Sequence, residues 1–213
     1  TINDNSINWV EQAEQLGTGH AVAQATPHIK DNTVALILYG DVPLIQQATL
    51  EQLIDAAQST GIALLSVILD NPAGYGRIVR QNNTIQAIVE QKDATPEQLK
   101  ICEVNTGIMA VNTQLLKQYL ADLDTNNAQG ELYLTDIIAS AVHDNKTVAS
   151  VITDNEFEVA GVNDKAQLAQ LERVYQQQQA AQYMQQGLTL KDPARFDCRG
   201  NLSFGKDCEI DIN

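Results

Sequence analysis

Positive charge is scarce in this chain. Its 213 residues carry 13 Lys and Arg against 27 Asp and Glu, a formal net charge of −14. So acidic a surface lacks the cations that neutralise a phosphate backbone, which argues against nucleic acid as a partner. Phosphorylated small molecules stay open, because a divalent metal can bridge carboxylate to phosphate. Cysteine is sparse too: Cys102, Cys198 and Cys208 are an odd number without CxxC spacing. That usage fits free thiols in a reducing cytosol. His20, His28 and His143 are scattered and make no zinc-ligand pattern. No apolar run approaches the roughly 18 residues of a membrane span. The opening T1-I-N-D-N-S-I-N-W9 has neither the basic head nor the apolar core of an export signal. Neither G-x-x-x-x-G-K-[ST] nor G-x-G-x-x-G occurs, so P-loop and dinucleotide-binding readings fall.

What is present is a soluble globular composition, 44% hydrophobic and 19% charged. Val34 to Tyr39 is a continuous apolar run, expected as a central strand covered on both faces. Leu50, Leu53, Ile54 and Ala57 form a helical stripe, with Thr49 expected as N-cap and Gly61 as the stop. Ile62 to Leu69 reads as a second buried strand, and R77-I-V-R80 and T84-I-Q-A-I-V-E90 as a hairpin through Asn82-Asn83. A strand is expected over Val104 to Val111, with helices over Gln114 to Leu123 and Leu134 to Val142. Further strands are expected over Thr147 to Ile152 and Glu156 to Val162. The alternation predicts a three-layer α/β fold with a mostly parallel, Rossmann-like sheet and the hairpin as an inserted antiparallel piece. From Asp164 to about Gln186 a narrow apolar stripe in a Gln-rich run predicts a long polar helix. The organisation expected is a domain over 1–163, a linker helix over 164–187 and a turn-rich start of another domain over 188–213.

Several short stretches could carry chemistry, and each has a plainer reading. Gly17-Thr18-Gly19 opens what reads as a helix, where exposed amides could receive a base or phosphate. Such a glycine-rich turn is more often only a turn. In L38-Y-G-D-V-P-L44 the strand delivers a lone carboxylate, Asp41, to its carboxyl end. Ligands of open α/β sheets bind there. Mg²⁺ needs only one or two protein oxygens when phosphates and waters complete its shell. An Asp in a turn or at an N-cap explains the same residue equally well. G74-Y-G-R-I78 could bring backbone close to a sugar or be a β-bulge. Glu90 could accept sugar hydroxyls or be a solvated edge residue. Asn105 heads a strand in N105-T-G107, and Asn163 precedes the long helix as a ligand or a turn residue. Asp164 and Gln167 have the spacing of a capping-box-like pair. Lys92 and Arg77 are the candidate cations for phosphate, or surface ion-pair partners.

Taken in order, E14-Q-L-G-T-G-H-A21, L38-Y-G-D-V-P-L44, G74-Y-G-R-I78, I88-V-E-Q-K-D-A94, V104-N-T-G-I108, Y133-L-T-D-I-I138 and V159-A-G-V-N163 resemble one family. It is the bacterial bifunctional N-acetylglucosamine-1-phosphate uridylyltransferases/glucosamine-1-phosphate acetyltransferases, and the resemblance runs along essentially the whole chain. It implies that Asp41 and Asn163 hold a catalytic Mg²⁺. Gln12, Gly17 and Thr18 would read uracil, and Tyr39 and Gly40 would line the nucleotide sugar. Gly76, Glu90 and Asn105 would contact N-acetylglucosamine, with Thr135 in the same pocket. The implied reaction makes UDP-N-acetylglucosamine and pyrophosphate from UTP and N-acetylglucosamine 1-phosphate, in the cytoplasm, for cell-wall precursors.

The sequence also departs from that family. The family opens with a strand and a glycine-rich L-x-A-G-x-G-T-R-M loop, with a lysine further on, which hold the triphosphate. Neither occurs here, and two missing βα units would account for ~60 residues. Only the first turn of the family's hexapeptide-repeat left-handed β-helix is expected in 188–213. The acetyl-CoA-dependent acetyltransferase and the homotrimer it forms would belong to a longer parent protein. This chain alone is therefore expected to turn over poorly. Two alternatives remain at this point. One is a nucleotide-sugar glycosyltransferase, which usually presents D-x-D where this chain has a single Asp41. The other is a non-catalytic sugar-nucleotide-binding piece.

Overall fold

A computed structural model describes residues 6–212. Two compact units can be distinguished in it. One contains the chain up to Tyr39 and residues 45–156; the other contains Gly40–Leu44 and the chain from Phe157 onward.

The first unit is built on a six-stranded sheet with helices on it. After α1 (Thr18–Ala25) the strands and helices run β1 (Val34–Ile37), α2 (Gln47–Thr60), β2 (Ile62–Ile68), β3 (Arg77–Gln81) and β4 (Thr84–Val89). They continue as β5 (Glu103–Asn112), α3 (Thr113–Ala121), α4 (Asp136–His143) and β6 (Ala149–Thr153). The strand order is β4-β3-β5-β2-β6, with β1 pairing β5 off that path. The sheet is mixed rather than mostly parallel. Only β2 and β6 pair in parallel, while β5 runs antiparallel to β1, β2 and β3. The cause lies in the connections. β5 follows a hairpin instead of a helical crossover, so it returns against its neighbours, and parallel pairing needs the longer crossover.

Burial explains the elements. Six of the seven β2 side chains are buried, the pattern of a strand covered on both faces. Ile62 and Leu64 of β2, Met109 and Val111 of β5, Leu116 and Tyr119 of α3 and Ile137, Ile138 and Ala141 of α4 share one core. Helix α2 packs instead on β2, β5 and β6 and buries Leu53 and Ala57. It starts before the expected Thr49, with Gln46 as its N-cap, and ends at Gly61 as expected. The hairpin turn falls on Asn82 and Asn83, both at positive φ, the conformation a two-residue turn demands. β1 differs from expectation: all four of its residues are only half-buried, since β5 is its one strand partner among the described residues.

In the second unit, α5 (Lys165–Gln185) is the expected long helix, with Leu171, Gln176 and Ala180 its buried positions. Two short strands, β7 (Thr189–Leu190) and β8 (Glu209–Ile210), pair in parallel. Ala180, Leu188 and Leu190 gather Tyr183, Phe196, Leu202 and Phe204 into a small core. No strand forms over Glu156 to Val162. A single 3-10 turn covers Glu156–Glu158, and the Val162 amide donates to the Asp41 carbonyl at 2.9 Å instead of joining a ladder. No described helix is long and apolar enough to cross a membrane.

Candidate functional site

The first unit holds a cavity of about 320 Å³ that gathers Thr18, Tyr39, Gly76, Glu90, Asn105 and Thr135 from six separate stretches. All six were singled out from the sequence. β5 delivers Asn105, which is 8% exposed, and its amide donates to the Gly76 carbonyl at 2.8 Å. The Asn105 Oδ1 is buried and has no hydrogen-bond partner. A buried amide oxygen in that state costs roughly 1–3 kcal/mol until something donates to it. The Tyr133 hydroxyl is likewise buried without a hydrogen bond of ordinary geometry. Burial pushes its pKa up, and the neighbouring Gln129 amide only partly offsets this.

Glu90 follows β4, and Thr135 stands at the N-cap position of α4 without a side-chain capping hydrogen bond. Thr135 Oγ1 donates to Glu90 Oε1 at 3.2 Å. Burial raises the Glu90 pKa above the usual carboxylate range; the Thr135 bond works against that, and nearby Asp93 adds to it. Gly76 lies flat against this carboxylate: a Cβ there would sit 3.2 Å from Glu90 Oε1 and 3.3 Å from Oε2. Gly107 shows why N105-T-G107 needs its glycine. Its φ is +84°, and a Cβ would fall 2.4 Å from Tyr39 Cε2, so the Tyr39 ring rests on bare backbone.

Gln12 and Gly17 are not among the residues that line this cavity. The Gln12 amide donates to the Gly17 carbonyl at 3.1 Å and meets His20 Nδ1 at 3.1 Å. Gly17 is the N-cap of α1, and a Cβ on it would lie 2.5 Å from the Leu132 carbonyl oxygen. Thr18 Oγ1 accepts from the Leu134 amide at 3.0 Å. The loop-to-helix start is thus stitched to the segment that carries Tyr133 and Thr135.

Gly40, Asp41 and Asn163 belong to the second unit. A Cβ on Gly161 would sit 3.4 Å from Asp41 Oδ2 and 4.0 Å from Asn163 Nδ2, so both side-chain tips converge on one point. Which Asn163 amide atom faces that point is interchangeable by a flip, so Oδ1 can be presented there. One carboxylate and one amide oxygen suit a hard divalent cation whose other ligands come from phosphates and water. Among the described residues no group of three or more His, Cys, Asp or Glu could cage a metal alone. Asp164 caps α5, its Oδ1 accepting from the Ala166 and Gln167 amides at 2.8 Å. Gln167 does not complete a capping box on Asp164. Its Oε1 accepts instead from the Asn163 amide at 2.7 Å, which fixes the backbone that bears Asn163.

Further lining residues, among them Tyr75, Gln129, Glu131 and Tyr133, are not marked as site residues by the sequence. Tyr75 was visible inside G74-Y-G-R-I78, whereas 129 and 131 lie in an irregular segment with no periodicity to read. Both candidate cations make contacts within the protein. Lys92 donates to Gln129, and Arg77 is buried with its guanidinium on the Tyr75 carbonyl.

Comparison with known proteins shows which family the chain resembles. A profile described as nucleotidyl transferase matches residues 2–170. The Bifunctional protein GlmU of Ruthia magnifica subsp. Calyptogena magnifica is 71% identical over 212 residues, all of this chain and 47% of that protein. The Bifunctional protein GlmU of Acinetobacter baumannii (strain AYE) is 56% identical over 213 residues, again 47% of its length. The chain therefore spans about half the length of the curated relatives it matches. Among solved structures, a UDP-glucose pyrophosphorylase complexed with UDP-glucose superposes with a TM-score of 0.58 at 14% identity, over 72% of this chain and 61% of that one. A putative glucose-1-phosphate thymidylyltransferase from Bacillus anthracis gives 0.55 at 20% identity, over 74% and 61%. These two likenesses concern the fold. With the profile covering most of its length and the relatives all of it, this chain belongs to the nucleotidyl transferase family.

Proposed function

We propose that this chain is the nucleotidyltransferase portion of an enzyme that makes UDP-N-acetylglucosamine from UTP and N-acetylglucosamine 1-phosphate. The observation that carries the reading is the cavity lined by Asn105, whose Oδ1 is buried and unpartnered, and by Glu90. A hexose with an acetamido group offers several donors and acceptors that satisfy such a lining. In the reaction an oxygen of the sugar 1-phosphate attacks the α-phosphorus of UTP. The bond from that phosphorus to the bridging oxygen breaks, and pyrophosphate leaves. Little covalent help is needed; alignment and charge neutralisation supply most of the acceleration.

In this reading Glu90 and Asn105 hold the N-acetylglucosamine, and Gly76 lets it approach the backbone. Gln12, Gly17 and Thr18 read uracil, while Tyr39 and Gly40 line the ribose. Asp41 and Asn163 would hold Mg²⁺, whose bound charge neutralises the phosphates. The parallel pair β7–β8 supports taking 188–213 as the start of a left-handed β-helix after the linker helix. Acetyl transfer, homotrimer formation, a cytoplasmic location and a place in cell-wall precursor synthesis belong to the same proposal, for the longer protein.

The test is calorimetric titration of this chain with UDP-N-acetylglucosamine, with and without Mg²⁺. Binding by the wild type and a drop of about tenfold in Asn105→Ala is the expected result. Equal affinity for UDP-N-acetylglucosamine and free uridine diphosphate would remove the cavity from sugar recognition and sink the reading.

A further inference from the structure

The segment Glu90–Asp93 touches both sides of the cavity, and its residues beyond Glu90 have no role in the function proposed above. Gln91 Oε1 accepts from the Gly74 amide and is 3.5 Å from the Arg77 guanidinium. That guanidinium donates to the Tyr75 carbonyl. Gln91 thereby holds the Gly74–Arg77 side, whose Tyr75 and Gly76 line the cavity. Asp93 faces the other way. Its Oδ1 accepts from the Ala128 amide at 2.8 Å, and its own amide donates to the Glu90 carbonyl at 3.0 Å. Lys92 reaches the same opposite side by donating to Gln129.

That opposite side is organised around Asn127. Its Oδ1 accepts from the Gln129 and Glu131 amides, both at 3.2 Å, and its Nδ2 donates to the Glu131 carbonyl at 2.6 Å. The loop is therefore hydrogen-bonded within itself, and Asp93 and Lys92 tie it to the β4 exit. Gln129 and Glu131 line the cavity from it.

We infer that Gln91 and Asp93 are positioning residues: together they form a bracket that sets the spacing of the two cavity walls about the Glu90 carboxylate. Neither touches the reacting atoms. Both act through others, Gln91 through Gly74, Tyr75 and Gly76, and Asp93 through Ala128, Gln129 and Glu131. The ligand class is the sugar 1-phosphate, so the inference rests on the function proposed above. The carboxylate between the walls needs its contacts at hydrogen-bond distance, and a wall displaced by an ångström forfeits them. The bracket therefore governs affinity for the sugar and not the chemical step.

The experiment uses Gln91→Ala, Asp93→Ala and their double variant in the full-length protein, with Gln91→Glu and Asp93→Asn as partners that keep the accepting oxygen. KM for N-acetylglucosamine 1-phosphate is expected to rise about five- to tenfold in each alanine variant, with kcat and the KM for UTP within about twofold. The two conservative variants should return most of the loss. Amide hydrogen exchange adds a readout that needs no substrate. Gly74 should lose protection in Gln91→Ala and Ala128 in Asp93→Ala, each reversed by its conservative partner. Unchanged KM in both alanine variants, or a fall in kcat alone, overturns the inference. If the wild-type protein does not accept the sugar phosphate at all, the proposed function fails. The bracket is then decided by exchange: protection retained at Gly74 and Ala128 overturns it, and protection lost there upholds it.

Discussion

Thr135 Oγ1 donates to Glu90 Oε1 at 3.2 Å, joining the N-cap of α4 to the residue after β4. Burial raises the Glu90 pKa first, and Thr135 opposes that by stabilising the ionised form. Glu90 thus binds its proton more tightly when folded than when unfolded. Its contribution to stability is fully present below the unfolded carboxylate pKa and is lost as pH rises through the higher folded value. Glu90→Gln should abolish that loss. The difference in thermal midpoint between Glu90→Gln and wild type is expected to grow in the variant's favour from pH 4 toward pH 7, while sugar binding weakens. A constant difference across that range would remove Glu90 from the pH dependence. In Thr135→Val an NMR titration should place the Glu90 pKa higher still.

Asp41 and Asn163 are both exposed, so their removal should leave the fold almost untouched, within about 0.5 kcal/mol by denaturant titration. Their effect should appear only with metal present. Asp41→Ala and Asn163→Ala are expected to lose the Mg²⁺-dependent gain in UDP-N-acetylglucosamine affinity and to match wild type in chelator. A Mg²⁺ gain that survives in both variants would mean that the metal is held elsewhere.

Gly107→Ala tests the contact beneath Tyr39. The variant must accept φ +84° and a Cβ 2.4 Å from the aromatic ring. Backbone strain and ring displacement together should cost about 1–3 kcal/mol in chemical denaturation. Because Tyr39 lines the cavity, ligand affinity should fall as well. Wild-type stability would show that the backbone relaxes at this position without penalty.

Glu103 ties β5 to its neighbours. Arg80 donates to both of its oxygens at 2.7 Å and Ser66 to Oε1 at 2.7 Å. Burial opposes ionisation of Glu103, but the Arg80 and Ser66 bonds prevail and hold its pKa below the usual range. The stability it contributes is present above the unfolded carboxylate pKa and is lost as pH falls through the lower folded value. Glu103→Gln should cost about 1–3 kcal/mol at pH 7. Its stability curve should also be flatter than that of wild type on the acid side, below about pH 4. Equal acid-limb slopes in the two proteins would contradict this.

How much of this was legible beforehand follows from the range of each signal. β2 was readable because six consecutive side chains are buried, which leaves an unbroken apolar run in the sequence. The Asn82-Asn83 turn and the Gly61 stop were readable because local backbone conformation selects those residue types. Glu156 to Val162 misled. Its apolar residues pack without a strand partner, and the Asp41 carbonyl takes the Val162 amide, a long-range choice no local pattern records. The antiparallel setting of β5 was hidden for the same reason, since pairing direction depends on how the connections fold.

For the site, residue types and their order pointed to Asp41, Glu90, Asn105, Thr135 and Asn163 individually, because local chemistry limits which residue can occupy a strand end, a turn or a cap. Only the tertiary structure decided that Glu90 meets Thr135 and that Asn105 is buried with its oxygen unpartnered. It alone turned Asp41 and Asn163 toward the same bare glycine. Those facts depend on distances between segments far apart in the chain, which packing sets and local sequence does not encode.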